Sequence, residues 1–319
     1  MKVCVYSAIL LSLAALSSVA EEKGLKWKKG EDTVALMKEG EIVWQHNHDK
    51  SRDKPCIHPL ATMDGEVLTS FRPADHVWHR ALWFSWKFIN GLNYWEEDKQ
   101  TLLSEGRTEI KQVEVETNAD YSAEIDMVLS YHPPQEDEIL SEKRRLRFGA
   151  PRSNGWYAID WTSTFTATGG DARLGRTPIT GQPGGKSWGG YAGLSLRMAK
   201  QTKHWPMIDS KGNKGSGINR KRGAVWMGAS GSTPEGKEAG VAILDHPSNM
   251  RHPSPWYAIP KMPFFSPALL YYEPFTLKQG ESFTLKYRIV VHPGKTDKAA
   301  LDKEWEKFIN SAIRLENEK

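Results

Sequence analysis

Between about residues 33 and 292, apolar and polar positions alternate with a period of two, as half-buried antiparallel strands require. In 156–167, Tyr157, Ile159, Trp161 and Phe165 fall on one face, and Asp160, Thr162, Thr164 and Thr166 on the other. The same beat runs through Ile125, Met127, Leu129 and Tyr131, and again through Leu285, Tyr287, Ile289 and Val291. Lys38-Glu39-Gly40, Met63-Asp64-Gly65 and Lys278-Gln279-Gly280 mark hairpin turns. The charged run Glu142-Lys143-Arg144-Arg145 predicts a solvated strand edge that resists edge-to-edge pairing. Only after Pro293 and Gly294 does the period change, and Leu301, Trp305, Phe308 and Ala312 form one stripe of a helix over 296–315. The expected fold is all-β, a large antiparallel β-sandwich with a C-terminal helix.

The chain opens with Met1 and Lys2, an apolar run over 3–16, then Ser18-Val19-Ala20 ahead of Glu21 and Glu22. That order of basic, apolar and small residues predicts a secretory signal peptide cleaved after Ala20. The run is shorter than the roughly 20 residues needed to cross a bilayer, and no later segment approaches that length. The expected division is 1–20 signal peptide, 21–293 a single β-sandwich domain, and 294–319 a helix packed on it. Export, to the periplasm or beyond, follows from the leader. Past it only Cys56 remains, so no internal disulfide is expected and burial must supply the stability.

Composition narrows the function classes. With 43 basic and 39 acidic residues the formal charge is +4, too balanced to call for nucleic acid or an anionic membrane as partner. Thirteen tryptophans, with 27 Gly and 18 Pro, suit a loop-rich β protein carrying large flat apolar surfaces. Common signatures fail: Gly181-Gln182-Pro183-Gly184-Gly185-Lys186-Ser187 is one residue short of a phosphate loop, and Pro183 lacks an amide such a loop would use. Zinc-finger, zinc-protease and serine-hydrolase spacings are missing, and Asp209 to Gly217 lacks a calcium-loop ladder.

Two polar clusters survive. Asp75-His76-Val77-Trp78-His79-Arg80 leads into an apolar strand in which Leu82, Phe84, Trp86 and Phe88 share one face and His79, Trp83, Ser85 and Lys87 the other, the second face suiting a polar cleft. Asp245-His246-Pro247-Ser248-Asn249-Met250-Arg251-His252-Pro253 follows the apolar strand 241–244, stiffened by two prolines. In each, a histidine beside a carboxylate suits acid–base work, and an arginine suits an oxyanion. Arg197, projecting with Tyr191 and Ser195, and His58 are candidates for the same cleft. Trp95-Glu96-Glu97-Asp98 sets an aromatic beside carboxylates, a pairing suited to a sugar's CH face and hydroxyls. His46 and His48 alternate onto the face of Ile42 and Trp44, which favours burial over metal ligation.

At these segments the chain resembles a group of exported bacterial proteins labelled "methane oxygenase PmoA", whose function is not established. The likeness covers most of the chain after the leader. It rests on His58-Pro59, the Asp75–Arg80 run followed by Leu82-Trp83, the stretch 189–194, Asp245-His246-Pro247 with Asn249 and Arg251, and Tyr287-Arg288 with His292-Pro293-Gly294. Where that pattern often carries another histidine, this chain has Trp78. The resemblance implies a galactose-mutarotase-like supersandwich, an architecture that hosts sugar epimerases, polysaccharide lyases and hydrolases. It does not imply methane oxidation, because the membrane subunit of that name is built from spanning helices.

The leading expectation is an exported carbohydrate-active enzyme acting on a small sugar or polysaccharide. His76, His79, His246, Asp75, Asp245, Arg80 and Arg251 would be catalytic, and His58, Trp83, Trp95, Glu96, Arg197 and Asn249 would bind substrate. No cofactor is expected. The alternatives are a non-catalytic carbohydrate-binding protein and a mononuclear enzyme with a transition metal on histidines.

Overall fold

The computed structural model describes residues 24–215 and 223–317, so the expected leader and its cleavage point lie outside the described residues. Two eight-stranded antiparallel sheets dominate. The first runs, in spatial order, Leu25–Lys29, Thr33–Lys38, Glu41–Asn47, Cys56–Leu60, Leu82–Ser85, Gly193–Arg197, Phe264–Pro267 and Trp256–Ile259. The second runs Met207–Asp209, Trp226–Ser232, Glu238–Asp245, Ser282–Pro293, Tyr157–Ala167, Leu140–Phe148, Ala123–His132 and Arg107–Thr117. A four-stranded sheet, Phe275–Leu277, Ala172–Gly175, Phe88–Ile89 and Leu92–Asn93, stands beside them.

The sheets form a sandwich because each presents an apolar face to the other. Every second residue of Tyr157–Ala167 is buried, as the alternation predicts, and joins Leu82, Phe84, Leu194 and Leu196 of the first sheet in one core. Trp44 stacks on Phe148 with centroids 3.8 Å apart, and the Tyr157 hydroxyl donates to the Ala61 carbonyl at 2.5 Å, so contacts cross the layers. The predicted turns occur where expected, with Gly40, Gly65 and Gly280 all at positive φ.

The run Glu142–Arg145 is not a sheet edge. Its strand lies between Ala123–His132 and Tyr157–Ala167, and Glu142 and Arg144 point inward with Leu140, Leu146 and Phe148. There Glu142 takes hydrogen bonds from Arg144 at 2.7 and 2.9 Å, and from the Tyr131 and Ser163 hydroxyls at 2.5 Å each. Two hydrogen bonds within the pair, two hydroxyls on the carboxylate and the Trp161 ring 4.8 Å from the guanidinium are what let this ion pair occupy a core position.

Lys298–Asn317 is the C-terminal helix, and it covers the outward face of the second sheet. Leu301 and Phe308 are buried with Trp226, Leu244 and Val290, with Trp305 half-buried beside them; Ala312, the last residue of the expected stripe, lies outside the described side chains. Glu304 clasps Arg152 through two hydrogen bonds of 2.7 and 2.9 Å. No helix among the described residues is long and apolar enough to cross a membrane.

Candidate functional site

The strands at the centre of the first sheet are buried on both faces. Leu82 and Phe84 enter the sandwich core, while Trp83 turns to a second aromatic layer with Trp95, Tyr257, Phe264 and Tyr271. The expected polar face of this strand is therefore an aromatic floor: Trp83 and Trp95 are fully buried and lie 5.3 Å apart. The strand ends at Ser85, and Phe88–Ile89 belongs to the small sheet, so the alternation read through Phe88 spans two elements.

Above this floor is a pocket of about 380 Å³, lined by His76, Trp78, His79, Glu96, Trp188, Tyr191, Tyr257, Ile259, Met262 and Phe264. Its walls come from distant segments. The loop bearing His76 and His79 is pinched shut by the Phe71–Arg80 bridge and by Arg72 N donating to the His79 carbonyl at 2.9 Å. The loop bearing Trp188 seats against Tyr271 at Gly190, where φ is +99° and an added Cβ would fall 2.3 Å from the ring. Trp188 itself is 54% exposed.

Behind His76, and not among the residues lining the pocket, Arg197 Nη2 donates to both oxygens of Asp75 at 2.9 and 2.7 Å. Asp75 Oδ2 in turn lies 3.1 Å from His76 Nδ1, an ion-pair distance without hydrogen-bond alignment. Burial works against the Asp75 charge, but the hydrogen bonds from Arg197 and the nearby Arg197 and His76 groups outweigh it and hold the carboxyl below its usual range. His76 keeps 31% of its side chain exposed and stacks on His79 at 4.6 Å. His79 is buried; desolvation, reinforced by His76 and Arg197, holds it well below the usual imidazole range, and its Nδ1 has no partner. Glu96 is fixed at the pocket by Lys87 and by Asn93 Nδ2 at 2.7 Å. His76 is thus the accessible imidazole and His79 the neutral one beneath it.

Beside this pocket, Glu97 is wholly buried and gathers three cations: Lys54 Nζ at 2.8 Å, Arg80 Nε at 2.8 Å and Arg72 Nη1 at 2.7 Å. Burial alone would raise its pKa, but Lys54 and Arg80 pull it below the ordinary value. Burial likewise pushes Lys54 down to about 8, with Glu97 offsetting part of that and Arg80 adding to it. Arg80 therefore sits in the Glu97 cluster and not among the residues lining the aromatic pocket.

A family model matches residues 33–306, from the second strand of the first sheet into the C-terminal helix. The chain belongs to the family of unknown function DUF6807. Solved structures with a similar arrangement include heparan sulfate lyase HepC from Pedobacter heparinus, at 10% identity and TM-score 0.34 over 86% of this chain and 36% of that one. A galactose mutarotase related enzyme from Lactobacillus acidophilus matches at 9% identity and TM-score 0.35 over 86% and 98% of the two chains. The galactosidase domain of an alpha-galactosidase-sucrose kinase matches at 11% identity and TM-score 0.29 over 85% and 41%. The DUF6807 chain thus spans about a third of the length of the lyase. No curated protein matches in sequence. These distant likenesses carry no activity to this chain, and none of them supports the methane-oxygenase label.

The second polar cluster of the DUF6807 chain lies elsewhere, at the end of a strand of the second sheet beneath the C-terminal helix. Asp245 is fully buried and accepts from Asn249 Nδ2 at 2.7 Å, His252 Nδ1 at 3.0 Å and Ser254 N at 2.8 Å. Asn249 completes the closure through Lys286, donating to its carbonyl at 2.7 Å and accepting from its amide at 2.6 Å. Arg251 donates to the carbonyls of Leu269, Glu273 and Pro274, and His246 packs edge-on against Phe308. None of these four expected site residues lines the aromatic pocket. His58 accepts or donates at Thr69 Oγ1, 2.9 Å away, and stacks on Phe71 outside that pocket.

His46 and His48 face each other with Nδ1 atoms 3.2 Å apart, and His46 is buried as the Trp44 face predicted. Among the described residues no group of three or more His, Cys, Asp and Glu side chains is arranged to hold a metal ion. The sequence does not point to Lys54 and Arg72, to the pocket walls Trp188, Tyr257 and Phe264, or to the role of Glu97 as a buried anchor for three cations, although its run is singled out. The signal for Glu97 was its place two residues after buried Trp95.

Proposed function

We propose that this DUF6807 chain is an exported carbohydrate-active enzyme whose aromatic pocket takes a sugar ring and whose His76 moves a proton at a sugar carbon or oxygen. The reading is carried by one observation: a half-accessible imidazole, backed by Asp75 and Arg197, opens onto a pocket walled by Trp78, Trp188, Tyr191 and Tyr257. Aromatic faces receive the CH face of a sugar, and the fixed Glu96 carboxylate accepts from its hydroxyls. Asp75 sets a carboxylate 3.1 Å from the imidazole, while the neutral His79 lies beneath as a further donor or acceptor. His76 is the catalytic residue in this reading, and Asp75 and Arg197 are positioning residues.

Proton NMR of the protein with a panel of mono- and oligosaccharides, including uronic and 3-keto sugars, tests it. New or exchanging sugar signals that vanish in His76→Ala are the expected result. Saturation transfer to a sugar without turnover would replace the enzyme with a binding protein. Neither turnover nor transfer across the panel would remove the sugar reading altogether.

A further inference from the structure

A second pocket, of about 250 Å³, lies on the other side of the Glu97 cluster, lined by Arg52, Lys54, Arg72, Arg80, Phe71 and the Asp49 carboxylate among others. Its charge does not balance. Lys54, Arg72 and Arg80 share the single Glu97 carboxylate, leaving an excess of two positive charges around it. The neighbouring Asp53 is already engaged by Arg107 Nε at 3.1 Å and by the amides of Ser104 and Thr108. Asp49 accepts from Ser51 N at 2.8 Å, lies 3.8 Å from Arg52 and feels the Arg80 charge at longer range, so it offsets part of this excess without pairing with Arg72 or Arg80. Buried cations without counter-charge are costly, and a fold that keeps them ordinarily pairs them.

Arg80 adds an independent sign. It is 97% buried, since only 3% of its surface is accessible, and its Nε is used by Glu97. Its Nη2 is buried with no hydrogen-bond partner. An N–H left in that condition marks a place where a ligand's acceptor belongs. Phe71, 39% exposed, lies 5.7 Å from the Arg80 guanidinium carbon and stacks on His58, so an aromatic face is held at the rim.

We infer that this pocket is an oxyanion site, binding a carboxylate, sulfate or phosphate group between Arg52, Arg72 and Arg80. Guanidinium groups suit such planar or tetrahedral oxygens because they donate in pairs. The Phe71 ring gives a flat apolar contact for whatever carries the anion. The site shares no lining residue with the aromatic pocket, so it stands or falls apart from the proposed sugar chemistry.

Isothermal titration of the full chain with sodium sulfate, phosphate and galacturonate, each against chloride at equal ionic strength and against neutral galactose, tests the site. Saturable binding of at least one oxyanion is expected, weakened about tenfold or more by Arg72→Gln and severalfold by Arg52→Gln. His76→Ala should leave it unchanged. Preference for galacturonate over both inorganic ions would assign the anion to a sugar, and the reverse to a free ion. Because Arg72 also touches Glu97, Arg52→Gln, whose side chain is 43% exposed, is the variant that folds without disturbing the cluster. No oxyanion binding beyond chloride, undiminished binding in Arg52→Gln and Arg72→Gln, or binding lost in His76→Ala would each overturn the assignment.

Discussion

Asp-His-x-x-His-Arg at 75–80 and Asp-His-x-x-Asn-x-Arg-His at 245–252 use nearly the same residue types, yet the structure treats them oppositely. In the later stretch Asp245, Asn249 and Arg251 close on the protein. Asp245 is wholly buried with three donors on its two oxygens, and Arg251 reaches three carbonyls. In the earlier stretch capacity is left over. Asp75 is 49% exposed, Arg197 Nε and Nη1 have no partner, and Arg80 Nη2 and His79 Nδ1 are likewise unused. The density of polar residues is similar; what differs is how far the aspartate and arginine hydrogen bonds close on the protein itself. A cluster that closes on itself holds a loop, and one that does not is prepared for something else.

The contrast breaks most readily at the two aspartates. Asp245→Ala strands His252 and Asn249 in a dry loop and should cost about 3 kcal/mol or more. Asp75→Ala removes a half-exposed carboxylate but leaves the buried Arg197 without its ion-pair partner, and should cost less, about 1–2 kcal/mol. Urea unfolding of the pair measures both, and equal losses would mean that the loop at 72–79 is as structural as the one at 245–252.

How far the sequence alone separates these regions follows from the same physics. Alternation in Tyr157–Ala167 was legible because one face is uniformly apolar, so period and burial agree. In Leu140–Phe148 the inward positions include Glu142 and Arg144, and charge was mistaken for exposure; only their shared parity with Leu146 and Phe148 pointed inward. The sequence places His76 and Arg197 in one cleft with His58, His79, Arg80, His246, Asn249 and Arg251; the fold brings Arg197 to Asp75 beside His76 and leaves His246, Asn249 and Arg251 elsewhere. Trp83 and Trp95 were read as ligand contacts because nothing in their own segments says that Tyr257 and Phe264 lie over them. Those walls come from strands far along the chain, so they become visible only with the topology. Self-closure at Asp245 was equally hidden, since its donors reach it through a turn geometry that composition does not encode.

A second test uses proton linkage in the charge-rich region. Burial lowers Lys54 to about 8 in the folded chain, against 10.5 when unfolded. Between those values the unfolded chain binds more protons, so stability rises as pH climbs from about 8 to 10.5, by up to about 3 kcal/mol. Below pH 8 the lysine is charged in both states and adds no slope. Lys54→Met should flatten the rise when unfolding free energies are compared across that window. A slope unchanged by the substitution would show that Lys54 is not the strained cation its burial implies.

The smallest effects, and the finest resolution, come from two tryptophans. Trp188 is 54% exposed at the rim of the aromatic pocket, its carbonyl bound by the Tyr257 hydroxyl at 3.3 Å and Lys186 Nζ 5.9 Å from its ring. Trp305 lies under the other cluster, its indole Nε1 donating to the Asp245 carbonyl at 2.9 Å. Trp188→Ala should change unfolding free energy by less than about 0.5 kcal/mol, because a surface ring gives up little on removal. It should weaken the sugar identified by NMR by about tenfold, the loss of one stacking face. Trp305→Ala should do the reverse, costing about 2 kcal/mol in stability through lost packing and a stranded carbonyl while leaving sugar affinity unchanged. Thermal melts and saturation-transfer titrations of both variants read the crossover directly. A Trp188 variant that loses stability without losing sugar would make the exposed ring part of the scaffold, and would leave the pocket with floor and walls but no recognition at its mouth.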